Sequence, residues 1–99
     1  MTNRVVEYEL STAYALGVTL KEYRKQQALT LRDLSSKAHI SLSFLSEIER
    51  GLKEPSSTVI SEIASALDLP MSNLYLDVAR KFRTLEIIQQ QKRKERVLQ

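Results

Sequence analysis

Apolar residues recur along this chain at helical rather than strand spacing. Ile60, Ile63, Ala64 and Leu67 fall at i, i+3, i+4 and i+7, which on a 3.6-residue period is one stripe of one face. Leu16, Leu20 and Tyr23 make a second stripe, Leu34 and Ala38 a third, Leu45 and Ile48 a fourth. No window sustains period-2 alternation with β-branched residues, so strands are not expected. The pattern predicts five helices, over about Thr12 to Gln27, Leu31 to Ala38, Leu42 to Arg50, Ser57 to Leu67, and from Met71 onward without a breaker before Gln99. Their starts are marked chemically. Thr30 precedes Leu31-Arg32-Asp33, so its hydroxyl can cap the second helix while Asp33 sits where a capping-box acid belongs. Ser41 and Ser56 stand ahead of the next two apolar runs, Gly51 stops the third helix, and Pro70 precedes the fifth. Residues 1–10 carry Val5, Val6, Tyr8 and Leu10, and the pattern does not say what these pack on.

Composition then removes chemistry. The chain has 99 residues, 42% of them hydrophobic and 27% charged, the proportions of one soluble globular domain. It has no cysteine and one histidine, His39, which removes disulfides and thiol catalysis and leaves nothing to build a histidine metal cluster. No nucleophile–base pair or phosphate loop is apparent, so no enzyme, cofactor or metal is expected. The longest apolar runs are a few residues and no signal-peptide core opens the chain, so a cytoplasmic protein without a membrane partner is expected. The net charge of +3 is uneven: seven basic and two acidic residues lie from Arg80 onward, whereas residues 1–79 hold eight basic and ten acidic. The basic balance belongs to the tail and is not by itself an argument for nucleic acid.

The second and third helices are short, amphipathic and joined by Lys37-Ala38-His39-Ile40-Ser41. That is the spacing of a helix-turn-helix, whose second helix enters the DNA major groove. Leu34, Ala38, Ile40, Leu45 and Ile48 form its inward face. The outward face of the third helix holds Leu42, Ser43, Ser46, Glu47 and Arg50, small and polar enough to approach base edges, with a leucine able to meet thymine methyls.

The stretch from Leu20-Lys21-Glu22-Tyr23-Arg24, through Leu31-Arg32-Asp33-Leu34, to Ser41-Leu42-Ser43-Phe44-Leu45-Ser46-Glu47-Ile48-Glu49-Arg50-Gly51 and Ile63-Ala64-Ser65-Ala66-Leu67 resembles the Cro/CI-type (XRE) helix-turn-helix family. Tyr23 to Gln27 and Leu31 to Ser36 are most like its actinobacterial clp gene regulators. The resemblance covers about Leu16 to Leu76. It implies an all-α, lambda-repressor-like five-helix DNA-binding domain with an extended C-terminal helix, and transcriptional control, with activation of stress or protease genes as the narrower expectation. It also implies roles. Thr30 touches a phosphate; Ser41, Leu42 and Ser43 reach base edges or phosphates; Glu47 points into the groove; Arg50 and Lys53 contact phosphates. Arg32 is an additional reader or clamp, Phe44 lies against the sugar–phosphate backbone, and Arg24 with Glu49 forms a buried ion pair tying the first helix to the third. The family's turn glycine is replaced here by His39, a residue enriched among non-glycine residues at positive φ.

Plainer alternatives stand beside each role. Glu47 and Arg50 make a solvated i, i+3 pair, Arg32 pairs with Asp33 or Glu22, Phe44 is core, and Arg24 and Glu49 are separate surface charges. Met71, Tyr75, Val78, Phe82 and Leu85 recur at heptad-like spacing, widened by Leu74, Ala79 and Ile88, and read as more apolar surface than one small domain can hide. The expected organisation is therefore an N-terminal segment over 1–11, a helix-turn-helix domain over 12–76 with its motif at about 31–50, and a C-terminal extension over 77–99. That extension is expected to dimerise through Tyr75, Val78, Phe82, Leu85 and Ile88. Two-fold symmetry would suit a palindromic operator with half-sites roughly 34 Å apart. The expected partners are double-stranded DNA, a second copy and RNA polymerase. The basic end, Lys92 to Arg96, is either a solvated helix end or an auxiliary phosphate-binding arm. From a different class, a helix-turn-helix module that binds protein, of coactivator or antitoxin type, fits the acidic balance of residues 1–79.

Overall fold

Hydroxyl groups start four helices of this chain. A computed structural model describes residues 11–98; the expectations for Val5, Val6, Tyr8 and Leu10 lie outside the described residues. The helices are α1 (Thr12–Gln26), α2 (Leu31–Ala38), α3 (Leu42–Glu49), α4 (Ser57–Ala66) and α5 (Met71–Leu98). Ser11, Thr30, Ser41 and Ser56 accept from the backbone N–H three residues on, at 3.0, 3.0, 3.1 and 3.2 Å. At Thr30 the capping box is complete, because the Asp33 carboxylate accepts from the Thr30 N–H at 2.9 Å. The ends are equally uniform. Ala28, His39, Gly51 and Asp68 adopt positive φ, and the N–H after each returns to a carbonyl five residues back: Leu29 to Arg24, Ile40 to Ser35, Leu52 to Glu47, Leu69 to Ala64. This closes the orphan carbonyls of each helix and turns the chain sharply. His39, at φ 59 and ψ 41, is one of three non-glycine residues among the described residues that do so.

Leu20, Leu34, Leu45, Ile48, Ile63, Leu67 and Leu74 form the centre of the core. α1 packs on α3 and on α5, while α2 packs on α3 and α4, so α1 lies between the helix-turn-helix and the long last helix. Tyr23 Oη donates to the Asp77 carboxylate, Lys81 Nζ pairs with Glu22 at 2.8 Å, and Gln27 Nε2 donates to the Leu67 carbonyl at 2.7 Å. Each is a polar tie between α1 and a later helix, or the end of one.

The expected seam of α5 is redistributed. Leu74, Val78 and Leu85 are buried in the core of a single chain, with Met71 and Phe82 packed partly against it. Tyr75 is exposed, and so is Ala79. One α1 face thus hides much of the surface expected to require a second copy, and Val78 and Leu85 are engaged within the chain. The expected extension over 77–99 continues the fifth helix without a break as far as Leu98. Among the described residues no helix is long and apolar enough to cross a membrane.

Candidate nucleic-acid interface

Between α2 and α3 the chain needs to turn within a few residues, and it does so on two local devices. His39 supplies the left-handed residue that ends α2, and the Ser41 hydroxyl caps α3. Half-buried Ile40 packs against the core between them. This fixes which way α3 faces: Leu45, Ile48 and Glu49 are turned inward, leaving Leu42, Ser43, Ser46, Glu47 and Arg50 on the other side.

Thr30, Arg32, Ser41, Ser43, Arg50 and Lys53 are exposed, and Leu42, Ser46 and Glu47, on α3, are half-buried. The capping oxygen of Ser41 is occupied as an acceptor, which leaves its hydroxyl proton to donate, for example to a phosphate, whereas the Thr30 hydroxyl is shared with the Asp33 carboxylate. Among the described residues Glu47 and Arg50 make no ion pair with each other. Arg32 pairs with neither acid proposed for it: Asp33 holds the Thr30 N–H, and Glu22 holds Lys81. Among the described residues Arg32, Arg50 and Lys53 make no ion pair; Arg32 lies in the first turn of α2, Arg50 caps the end of α3 and Lys53 follows it. Phe44 is half-buried and packs against the core, so part of its ring serves folding.

Arg24 and Glu49 meet. Nε and Nη2 of Arg24 donate to the two Glu49 carboxylate oxygens at 2.8 and 2.9 Å, and Nη1 donates to the Leu29 carbonyl at 2.8 Å. The side chains are only 10% and 4% exposed. The carboxylate raises the Arg24 pKa above its ordinary value, chiefly through this hydrogen bonding. It is fork-to-fork, the geometry that fixes angle as well as distance.

Sequence reasoning missed three features of this region. The Tyr23–Asp77 bond joins residues 54 apart and no local pattern reports it. Ala28 and Asp68 take the left-handed conformation without being glycine or asparagine. Gly17, in the middle of α1, touches the end of α3; a glycine inside an apolar helical stripe was the available signal for a close backbone approach.

The helix-turn-helix family profile matches residues 20–74. The transcriptional regulator ClgR of Mycobacterium tuberculosis is 47% identical over 66 residues, which are 67% of this chain and 59% of that protein. SinR of Bacillus subtilis, an HTH-type transcriptional regulator, is 35% identical over 60 residues, 60% of this chain and 54% of its own. The chain thus spans less than two-thirds of these relatives. Among solved structures, the clp gene regulator ClgR from Corynebacterium glutamicum matches with a TM-score of 0.73 and 31% identity over 94% of both chains, α5 included. A restriction-modification controller protein, C.Esp1396I, solved as a tetramer with its 35-base-pair operator, shares the fold at 17% identity and a TM-score of 0.68, over 72% of this chain and 93% of that one.

Proposed function

Because the chain belongs to the XRE-type helix-turn-helix family of transcriptional regulators, we propose that it binds double-stranded DNA sequence-specifically through the outward face of α3. The observation that carries this reading is the exposed basic rim that Arg32, Arg50 and Lys53 give the small polar face of α3, which Arg24–Glu49 ties to α1 from behind. Phosphate contacts from the rim and from the Thr30 and Ser41 hydroxyls position the domain but carry no sequence information. Leu42, Ser43 and Glu47 read bases: the leucine against a thymine methyl, the serine hydroxyl at a base edge, the carboxylate accepting from a cytosine N4 amino group. The exposed part of the Phe44 ring lies against a sugar.

The active species is a homodimer on a palindromic operator. Its interface is built on α5 from side chains not consumed by the core: Tyr75 and the accessible parts of Phe82 and Ile88, joined by the exposed Leu76 and Ile87. Val78 and Leu85 support that helix from beneath. Likeness to the clp gene regulators supports target genes of the protease and stress type, with activation through contact with RNA polymerase.

Titration of a random duplex library against salt tests the reading. Phosphate neutralisation makes log affinity fall steeply and linearly with log salt concentration, and selection enriches one palindromic motif. Absence of duplex binding at low salt would transfer the fold to the protein-binding class.

A further inference from the structure

Gly17 lies inside α1, where glycine costs about 1 kcal/mol relative to alanine, and its φ is not of the left-handed kind that would require it. Space requires it instead. A Cβ built on Gly17 would strike the main-chain oxygen of Ile48 and lie 2.7 Å from the Glu49 oxygen and 3.0 Å from its carbonyl carbon. These are backbone atoms, which cannot rotate away. The Ile48 oxygen is also the acceptor for the Gly51 N–H at 3.0 Å, so the contact falls on the C-terminal turn of α3. Gly51, at φ +74, faces α1 in return: a Cβ there would lie 3.0 Å from the Tyr14 Cα.

We propose that Gly17 is a positioning residue for base reading: its missing side chain sets the depth at which the end of α3 seats on α1. The inference rests on α3 being the reading helix. Gly17 and Arg24 are seven residues apart, hence on the same face of α1 and separated by about 10 Å along it. They hold the same end of α3 by different means. Arg24 clamps the Glu49 carboxylate, which fixes rotation, and Gly17 admits the Ile48–Glu49 main chain, which fixes distance. α3 has eight residues, about 12 Å of helix, so displacement of its C-terminal turn tilts Leu42, Ser43 and Glu47 together. With alanine at position 17 the two backbones must part until the contact reaches the ordinary range of 3.4 Å or more.

The test is Gly17→Ala in the full chain, measured against wild type on two duplexes of equal length at one salt concentration: the motif enriched by library selection and a random sequence. Alanine favours helix, so lost binding does not come from an unwound α1. The expected result is retained helical circular dichroism, random-duplex affinity and salt slope as in wild type, and affinity for the enriched motif reduced about tenfold, the equivalent of one base contact. Amide chemical-shift changes should concentrate over residues 42–51. A folded variant with the wild-type ratio of enriched to random affinity overturns the proposal. If the variant is partly unfolded, the titration is repeated in sucrose, which favours the compact state, and normalised to the folded fraction. A ratio still at the wild-type value, or no recoverable fold, makes Gly17 a folding residue only. Wild-type protein that shows no preference between duplexes would instead remove the reading role of α3 itself.

Discussion

The guanidinium of Arg24 and the carboxylate of Glu49 form two parallel hydrogen bonds, at 2.8 and 2.9 Å, between the first helix and the inward side of the third. Both side chains are nearly out of solvent, so neither can be removed without stranding the other. Arg24→Met should destabilise the domain by about 3–5 kcal/mol, because an uncompensated buried carboxylate remains. Arg24→Met with Glu49→Leu should recover much of that loss, since an apolar pair carries no desolvation cost. Urea denaturation of the wild type, both single variants and the double variant gives the coupling; a double variant no more stable than Arg24→Met would show the side chains to be independent.

Acid sensitivity should arise at the capping box. Backbone and hydroxyl hydrogen bonds from Thr30 hold the Asp33 carboxyl below the usual aspartate range. A carboxyl lowered on folding contributes stability that is present above its unfolded pKa and is lost as pH falls through the folded value. Asp33→Asn keeps an acceptor but removes the titration. Its melting temperature should lie below wild type near neutral pH and converge with it on acidification below about pH 4. Parallel curves for the two proteins across that range would sink this account. Asp77 has the same sign, lowered first by the Tyr23 hydroxyl and then by Arg80.

What the chain discloses on inspection is its local physics. Thr30, Ser41 and Ser56 cap the helices they precede, the Ile60–Leu67 stripe is buried, and His39 takes the left-handed turn, because each depends on neighbours within about four residues. α5 is where periodicity misleads. Its heptad-like run through Tyr75 reads as an unpartnered seam, yet the buried stripe passes through Leu74, Val78 and Leu85, since α1 folds back onto that side. Periodicity reports that a face is apolar and does not report what covers it. Of the candidate interface, spacing alone shows which α3 residues face away from the core. It does not show the free state of Arg32, because that depends on where Glu22 finds its partner, Lys81, some 59 residues on.

Dimerisation is therefore best tested on α5 side chains that the core does not use. Ile87→Asp places a charge at an exposed apolar position and should leave the melting of the domain nearly unchanged. Sedimentation at micromolar concentration should change from dimer to monomer. Affinity for a whole operator should fall by a factor of ~10²–10⁴ while half-site affinity stays constant, because linked sites bind in concert. A wild-type protein that sediments as a monomer, or that binds half and whole sites equally, would contradict the proposal. Phe82→Asp is the less clean probe, since that ring also packs on the core.

The claim that α3 reads sequence is tested most directly by the base preference of two variants beside a phosphate-contact control. Library selection with Leu42→Ala and Glu47→Ala should relax preference at one operator position each, by about 1–3 kcal/mol, with the remaining positions unchanged. Lys53→Ala should keep the wild-type motif, weaken every sequence alike and reduce the salt slope by about one. Folded Leu42→Ala and Glu47→Ala proteins that enrich the wild-type motif with undiminished affinity would contradict the account.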